Sequence, residues 1–141
     1  MKISDILNAK GTNVYSVAPE NTVYEALKIM GEKNIGALLV MVHDELIGII
    51  SERDYARKIV LKGKTSLDTT VSEIMTESVI TVLPEDSLEK CMGLMSDNHI
   101  RHLPVVKNGE VKGVISISDV VTAIIESQKE TIEYLQNYII Q

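Results

Sequence analysis

GIISERD at residues 48–54 is repeated as GVISISD at residues 113–119 of this 141-residue chain, 65 positions further along. Around this pair, residues 13–60 align without a gap onto residues 78–125, and 14 of the 48 aligned positions are identical. A duplicated unit this short rarely buries its apolar face alone, so we expect the two copies to pack on each other. A site at their junction would then occur twice, related by pseudo-two-fold symmetry.

Each copy shows the same order of local signals. A short β-branched stretch, 14–17 or 79–82, is closed by a proline, which favours a turn or the start of a helix. The next segment repeats its apolar residues with a period of 3.6, which predicts an amphipathic helix. A short apolar run and a turn at His43-Asp44 or Asn108-Gly109 then predict a β-hairpin, and a second helix begins near Asp54 or Asp119. Each copy is therefore predicted to be β-α-β-β-α.

The regions outside the alignment complete two repeats. A short helix is predicted before each copy, at 3–7 and 71–75, with a spacing of 68 because the copies differ by three residues around Lys10–Thr12. Residues 61–70 form the linker, and the apolar periodicity from Asp119 to about Ile140 predicts an extended closing helix. We expect an α/β protein of the α+β type, with repeat 1 at 1–66 and repeat 2 at 67–141.

Composition limits the class of protein. The hydrophobic content of 45% suits one compact domain, and the absence of Trp and Phe makes its core aliphatic. A net charge of −6 disfavours a nucleic-acid binder, which would normally carry a basic stripe. The N-terminus does not have the pattern of a signal peptide, no apolar run approaches the ~18 residues of a membrane span, and the single cysteine cannot form an internal disulfide. We expect a cytoplasmic protein with no nucleic-acid or membrane partner.

The repeated motif is the strongest candidate for a binding site. Its serine ends a strand and its aspartate lies near a helix N-terminus, where open N–H groups favour anions. Asp54 and Asp119 could equally act as helix caps, and the motif alone leaves both roles open. Ser116 and Ser118 beside Asp119 favour a ligand, because an ionised carboxylate accepts both hydroxyls of a ribose. Such hydrogen bonds to a charged group contribute ~1.5–3 kcal/mol.

Together these motifs resemble a known family. The VxPE, RHLPV and GVISISD segments are similar to the cystathionine-β-synthase (CBS) domain, two of which form a Bateman module. ISERDYARKIV, followed by GKTS and IMT, resembles a subgroup of small stand-alone CBS-pair proteins. The resemblance covers essentially the whole chain. It implies two CBS repeats packed with pseudo-two-fold symmetry, a regulatory role and an adenosine-containing ligand.

The resemblance also implies two pockets, each built from residues of both repeats. One would combine the end of repeat 2 with the start of repeat 1, through Ser116, Ser118, Asp119, Thr12, Tyr15, Gly36, Ala37 and Leu38. The other would combine the end of repeat 1 with the start of repeat 2, through Ser51, Arg53, Asp54, Arg57, Val79, Ile80, Arg101, His102 and Leu103. Backbone groups at 37–38 and 102–103 would meet the adenine edge, and short apolar side chains would hold the ring.

The two copies differ where a ligand would bind. Repeat 1 has Arg53 where repeat 2 has Ser118, and Gly36 where repeat 2 has Arg101. Arginine suits phosphate through its fixed charge and paired donors, although Arg53 could instead form a surface ion-pair cluster with Glu52 and Asp54. We expect the Asp119 pocket to hold adenosine, with Arg101 or Arg53 reaching its phosphates. The Asp54 pocket would be a second, weaker site or would be partly filled by Arg53.

The leading hypothesis is a non-catalytic adenosine-nucleotide sensor whose ligand bridges the repeats and changes their packing. AMP is the first candidate ligand, and ADP, ATP, NAD and S-adenosylmethionine are alternatives. We expect a homodimer that acts on a regulated protein in trans. Two other classes remain open, a ligand-independent dimerisation scaffold and a nucleotide-processing enzyme. The enzyme is disfavoured because the sequence has no recognisable Ser-His-Asp, Cys-His or metal-ligand set.

Overall fold

The computed structural model describes residues 1–140 and confirms an α+β fold built from two similar repeats. Repeat 1 follows the order α1 (Ile3–Lys10), β1 (Ser16–Val17), α2 (Val23–Lys33), β2 (Ala37–Val42), β3 (Glu45–Ser51) and α3 (Glu52–Tyr55), which continues as a π-helical turn, Ala56–Val60. Repeat 2 contains α4 (Val71–Ile74), α5 (Leu88–Asn98), β4 (His102–Lys107), β5 (Glu110–Ser116) and α6 (Ile117–Ile140).

The first strand of each repeat is shorter than the sequence predicts. β1 pairs in parallel with β2 over two residues, and in repeat 2 the strand is reduced to one parallel bridge between Val82 and Val105. In repeat 1 the Leu39 N–H donates to the Tyr15 carbonyl at 3.3 Å. The aligned residue in repeat 2 is Pro104, which has no N–H, so this hydrogen bond of the ladder cannot form there.

A tight antiparallel hairpin forms the centre of each repeat. β2 pairs with β3 and β4 pairs with β5, each with a register shift at the aligned position. Both residues of each turn have positive φ, as a type I′ turn requires: 48° and 64° at His43 and Asp44, and 55° and 75° at Asn108 and Gly109. The hairpins that the sequence predicts are therefore confirmed, including their turn chemistry.

Each core is completed by the short helix that precedes the other repeat. Helix α1 contributes Ile3, Ile6 and Leu7 to the core of repeat 2. In the same way, α4 contributes Val71 and Ile74 to the core of repeat 1. The division at residue 66 separates the repeats in sequence, but each packed core crosses it.

The repeated glycine makes room for this exchange. A Cβ at Gly48 would lie 2.6 Å from Met75 Sδ and 3.1 Å from the carbonyl oxygen of Thr76. A Cβ at Gly113 would lie 2.6 Å from Leu7 Cδ2. The glycine of the motif thus leaves room for close packing of the exchanged segment against the hairpin.

Helix α6 extends well past the core, as the sequence predicts. Val120 and Ala123 are buried in repeat 2 and Ile124 packs against that core, whereas six apolar side chains further along are 46–80% exposed: Ile125, Ile132, Tyr134, Leu135, Tyr138 and Ile139. No helix within residues 1–140, α6 included, is both long enough and apolar enough to cross a membrane.

Candidate functional site

A serine and an aspartate cap each other at both strand-to-helix junctions of the repeated motif. The Ser51 N–H donates to Asp54 Oδ2 at 2.9 Å, and the Asp54 N–H donates to Ser51 Oγ at 3.2 Å. Ser116 and Asp119 make the same two bonds at 2.8 and 3.2 Å. Both aspartates are therefore helix caps. Because a carboxylate offers about four acceptor positions, capping leaves capacity for a ligand.

A cavity of about 600 Å³ lies between the repeats beside Asp54. Its volume falls within the ~300–1,000 Å³ that small-molecule sites usually occupy. The apolar part of the wall comes from both repeats, with Ile49 on one side and Val79, Ile80 and Ile100 on the other. The remaining lining residues are polar or small: Gly36, Ser51, Glu52, Arg53, Asp54, Arg57, Thr76, Ser78, Asn98, His99, Arg101 and His102.

All three arginines of the chain, Arg53, Arg57 and Arg101, line this cavity. Among the ion pairs within residues 1–140, none involves an arginine. In a chain of net charge −6, this gathers the permanent cations with paired donors around one cavity. The larger cavity is therefore suited to an anionic group.

The ion-pair cluster considered for Arg53 is not formed. The Arg53 guanidinium donates to the carbonyl oxygen of His99 at 2.5 Å, which links the two repeats across the cavity. Asp54 pairs instead with Lys58, one helical turn further on, at 3.1 Å. Lys58 also donates to the carbonyl oxygen of Ile74 at 2.7 Å and does not line the cavity.

A smaller pocket of about 280 Å³ lies at the pseudo-symmetric position near Asp119. Its lining again combines both repeats: Lys10, Gly11, Asn13, Tyr15, Asn34, Ile35, Gly36, Ala37, Leu39, Ile49, His102, Val114, Ser116 and Ser118. Asp119 itself does not line it. Lys10, which does, has its Nζ 2.7 Å from Asp119 Oδ2 and 2.8 Å from the Val114 carbonyl oxygen. Burial raises the pKa of Asp119, but hydrogen bonds from Lys10 and Ser116 outweigh it and hold the pKa below its usual value.

Three residues, Gly36, Ile49 and His102, line both cavities. A Cβ at Gly36 would lie 3.3 Å from His102 Cε1, so the absence of a side chain at Gly36 gives the imidazole its space. Burial lowers the pKa of His102, Asp119 opposes this, and the charges of Lys10 and Arg101 lower it further. The His102 ring is therefore neutral near pH 7, with one donor and one acceptor nitrogen.

Most of the residues that the sequence singles out are brought together as two groups. The larger cavity gathers Ser51, Arg53, Asp54, Arg57, Val79, Ile80, Arg101 and His102, and the smaller one gathers Tyr15, Gly36, Ala37, Ser116 and Ser118. Four others do not line either cavity: Thr12, Leu38, Leu103 and Asp119. Thr12 is exposed at the surface, and the side chains of Leu38 and Leu103 are 1% and 0% exposed in the two cores. The strand alternation points these leucines inward, away from the cavities.

The two arginines that the sequence assigns to the phosphates of a ligand beside Asp119 line the other cavity. Arg53 and Arg101 lie in the cavity beside Asp54, and neither lines the smaller pocket. The cation in the Asp119 pocket is Lys10, which the sequence analysis did not select. The three-residue difference around Lys10–Thr12 was the signal that could have found it. Asn98 and His99, which the sequence analysis also did not place in the pocket, enter the larger cavity from the end of α5.

Similarity to known proteins extends over nearly the whole chain. The CBS domain family matches residues 3–61 and 71–126. The chain is 43% identical over 146 residues to the CBS domain-containing protein CBSX3, mitochondrial, of Arabidopsis thaliana, spanning 97% of this chain and 71% of that protein. A solved structure of a protein with CBS domains from Burkholderia ambifaria MC40-6 matches with a TM-score of 0.88 and 46% identity, over 91% of this chain and 96% of that one.

A hexameric CBS-CP12 protein from bloom-forming cyanobacteria shares the fold, with a TM-score of 0.77 and 30% identity over 86% of this chain and 66% of that one. The two separate family matches coincide with the two repeats that the 65-residue spacing defines. The chain is therefore a member of the CBS domain family, with two CBS repeats in tandem.

Proposed function

We propose that this chain is a non-catalytic regulatory protein that binds an adenosine nucleotide in the cavity beside Asp54. The observation that carries the proposal is the concentration of all three arginines around one cavity between the repeats. That cavity combines permanent cations, a carboxylate and apolar side chains. These complement the phosphates, the ribose hydroxyls and the base of a nucleotide. The membership of the CBS family adds support, because CBS domains commonly bind adenosine-containing ligands.

Each part of the nucleotide has a matching wall. The ribose hydroxyls donate to Asp54, and the phosphates are bound by Arg53, Arg57 and Arg101. The adenine ring packs among the apolar side chains of Ile49, Val79 and Ile80 that line the cavity. The neutral ring of His102 can donate or accept one hydrogen bond at the edge of the base.

This proposal moves the main site from the Asp119 pocket to the Asp54 cavity. The sequence favours Asp119 because three polar side chains cluster there. The smaller pocket, however, has about 280 Å³, and no arginine lines it. The larger cavity has about twice this volume and carries the arginines.

A ligand in this cavity would contact both repeats and so favour one arrangement of them. A ligand that binds only the folded state raises the free energy of unfolding by about 2.7 kcal/mol when its concentration is a hundred times Kd. We infer that the signal is passed on by contact with a regulated protein in trans.

The first test is calorimetry and thermal unfolding of ligand-stripped protein with AMP, ADP, ATP, NAD and S-adenosylmethionine. We expect at least one of them to bind and to raise Tm by roughly 5–10 °C at a hundredfold excess over Kd. Adenosine and inorganic phosphate are titrated as separate controls. They show how much of the binding free energy comes from the nucleoside and how much from the phosphate. If none of the five binds at millimolar concentration, the proposed function is wrong.

The exposed face of α6 supports self-association. Val121, Ile125, Ile132, Leu135 and Ile139 follow one another at intervals of four, seven, three and four residues, the heptad spacing of helices that pair along their length. Each is 46–80% exposed. We propose that a second copy of the chain covers this stripe and forms a homodimer. The CBS-CP12 protein that shares this fold is hexameric, which supports self-association in general.

Light scattering of the purified chain should therefore give twice the 15.6 kDa mass of one copy at micromolar concentration. Ile132→Glu with Leu135→Glu should convert the dimer into a monomer, because charges in a helix-pairing seam are buried without a partner. Glu126→Lys with Glu133→Lys, which also alters charge on α6 but outside the stripe, is the matched control. A wild-type monomer, or a dimer unaffected by the stripe variant, would contradict this prediction.

A further inference from the structure

A second polar cluster, outside the arginine-lined cavity, is created by an asymmetry between the two exchanged helices. Leu7 and Met75 meet the repeated glycines at equivalent points of the two repeats. Helix α1 continues beyond Leu7 to Lys10, whereas α4 ends at Ile74 before Met75 is reached. The extra turn corresponds to the three-residue difference between the copies. It brings Lys10 to the pocket beside Asp119, a position that has no counterpart in the other cavity.

The contacts of Lys10 leave it able to bind a further acceptor. Its ammonium has three N–H donors, and the structure uses two, on Asp119 Oδ2 at 2.7 Å and on the Val114 carbonyl oxygen at 2.8 Å. Ser118 lines the same pocket, with its hydroxyl 2.9 Å from that of Ser116. The Lys10 side chain is 36% exposed, and such accessible ion pairs contribute little and exchange partners readily.

We propose that Lys10 is the phosphate-recognition residue of this smaller pocket and makes it select a phosphorylated nucleoside over an unphosphorylated one. This inference rests on the proposed function, which brings adenosine nucleotides to the junction of the repeats. When the ribose hydroxyls of such a ligand bind Asp119, the ammonium is released to its phosphate, beside the Ser118 hydroxyl. Without Lys10, the Asp119 carboxylate would still accept ribose hydroxyls but would repel a phosphate.

The experiment is a titration with AMP and with adenosine, followed by the backbone amide signals of each pocket. The Ser118 and Val114 signals report the smaller pocket, and the Ser78 and Val79 signals report the larger cavity. Lys10→Ala should raise the AMP dissociation constant measured at Ser118 by at least ~10-fold, with the adenosine constant unchanged or lower. Lys10→Arg, which keeps the charge, should retain AMP binding within a few-fold.

Lys112→Ala is the control for the loss of one positive charge, because Lys112 pairs with Glu110 in the hairpin and lines neither cavity. It should leave both constants unchanged. An AMP constant at Ser118 that Lys10→Ala leaves unchanged, or an adenosine constant that rises equally, would overturn the role of Lys10. AMP signals confined to Ser78 and Val79 would overturn it too and leave the proposed function standing. If AMP moves no signal in either pocket at millimolar concentration, the nucleotide proposal and this inference both fail.

Discussion

Ile3→Ala is expected to lower the free energy of unfolding by about 2–5 kcal/mol, a large effect for the third residue of a chain. The reason is the helix exchange, because Ile3 is 0% exposed and packs in the core of repeat 2 with Leu103, Val105 and Ile115. Alanine would remove most of the buried side chain and leave a cavity in that core. Urea unfolding measures the loss, and hydrogen exchange should show it first in β4 and β5.

Ile139→Ala is the matched control for this prediction. It makes the same change in an apolar residue at the other end of the chain, where the side chain is 80% exposed. The free energy of unfolding of the monomer, measured at low protein concentration, should change by no more than ~0.5 kcal/mol. A cost below about 1 kcal/mol for Ile3→Ala, or a loss of exchange protection confined to β2 and β3, would show that α1 does not complete the second core.

The repeated pattern was sufficient to predict most of the fold. Identity at a constant spacing predicted two similar units, and the Asn108-Gly109 turn predicted its hairpin correctly because only a few residue types tolerate two positive φ angles. The exchange of α1 and α4 could not be read from local signals. An apolar face shows that a helix is buried but does not identify the repeat that buries it.

The site was predicted in composition better than in arrangement. Asp54, Arg53 and Arg101 were selected correctly as neighbours across the repeats, since the family resemblance carries that pairing. The preference for the Asp119 pocket depended on a cluster of polar residues in sequence, whereas the structure adds Lys10 from 109 positions away. An ion pair with a lysine of a distant helix depends on tertiary packing, so a local sequence motif cannot predict it.

The side-chain direction of Leu38 and Leu103 shows the same limit on a smaller scale. The family resemblance assigns their backbone groups to the adenine edge, and their side chains fill the two cores. Adjacent strand residues point to opposite faces, so a shift of one residue exchanges core for cavity. Residues 37 and 102, one position earlier, are the ones that reach the cavities.

Arg101→Glu should raise the dissociation constant for AMP in the larger cavity by at least about 10–100-fold. Arg101 is exposed, lines the cavity and contributes no ion pair to the fold, so its substitution tests the ligand rather than stability. Removing its guanidinium takes away a charge-assisted contact with phosphate, and the new carboxylate repels that group. Calorimetry with AMP measures the loss, and adenosine, which has no phosphate, should bind as before.

Lys107→Glu is the control for Arg101→Glu. It makes the same change in charge at the opposite end of β4. Lys107 ends β4, pairs with Glu85 at 3.3 Å and lines neither cavity. Its substitution shifts the net charge of the chain as Arg101→Glu does, so any general electrostatic effect on an anionic ligand appears in both variants. A loss of AMP binding that is specific to Arg101→Glu is therefore local to the cavity. Equal losses in the two variants, or an AMP affinity unchanged by Arg101→Glu, would mean that the arginine-lined wall does not bind the phosphate.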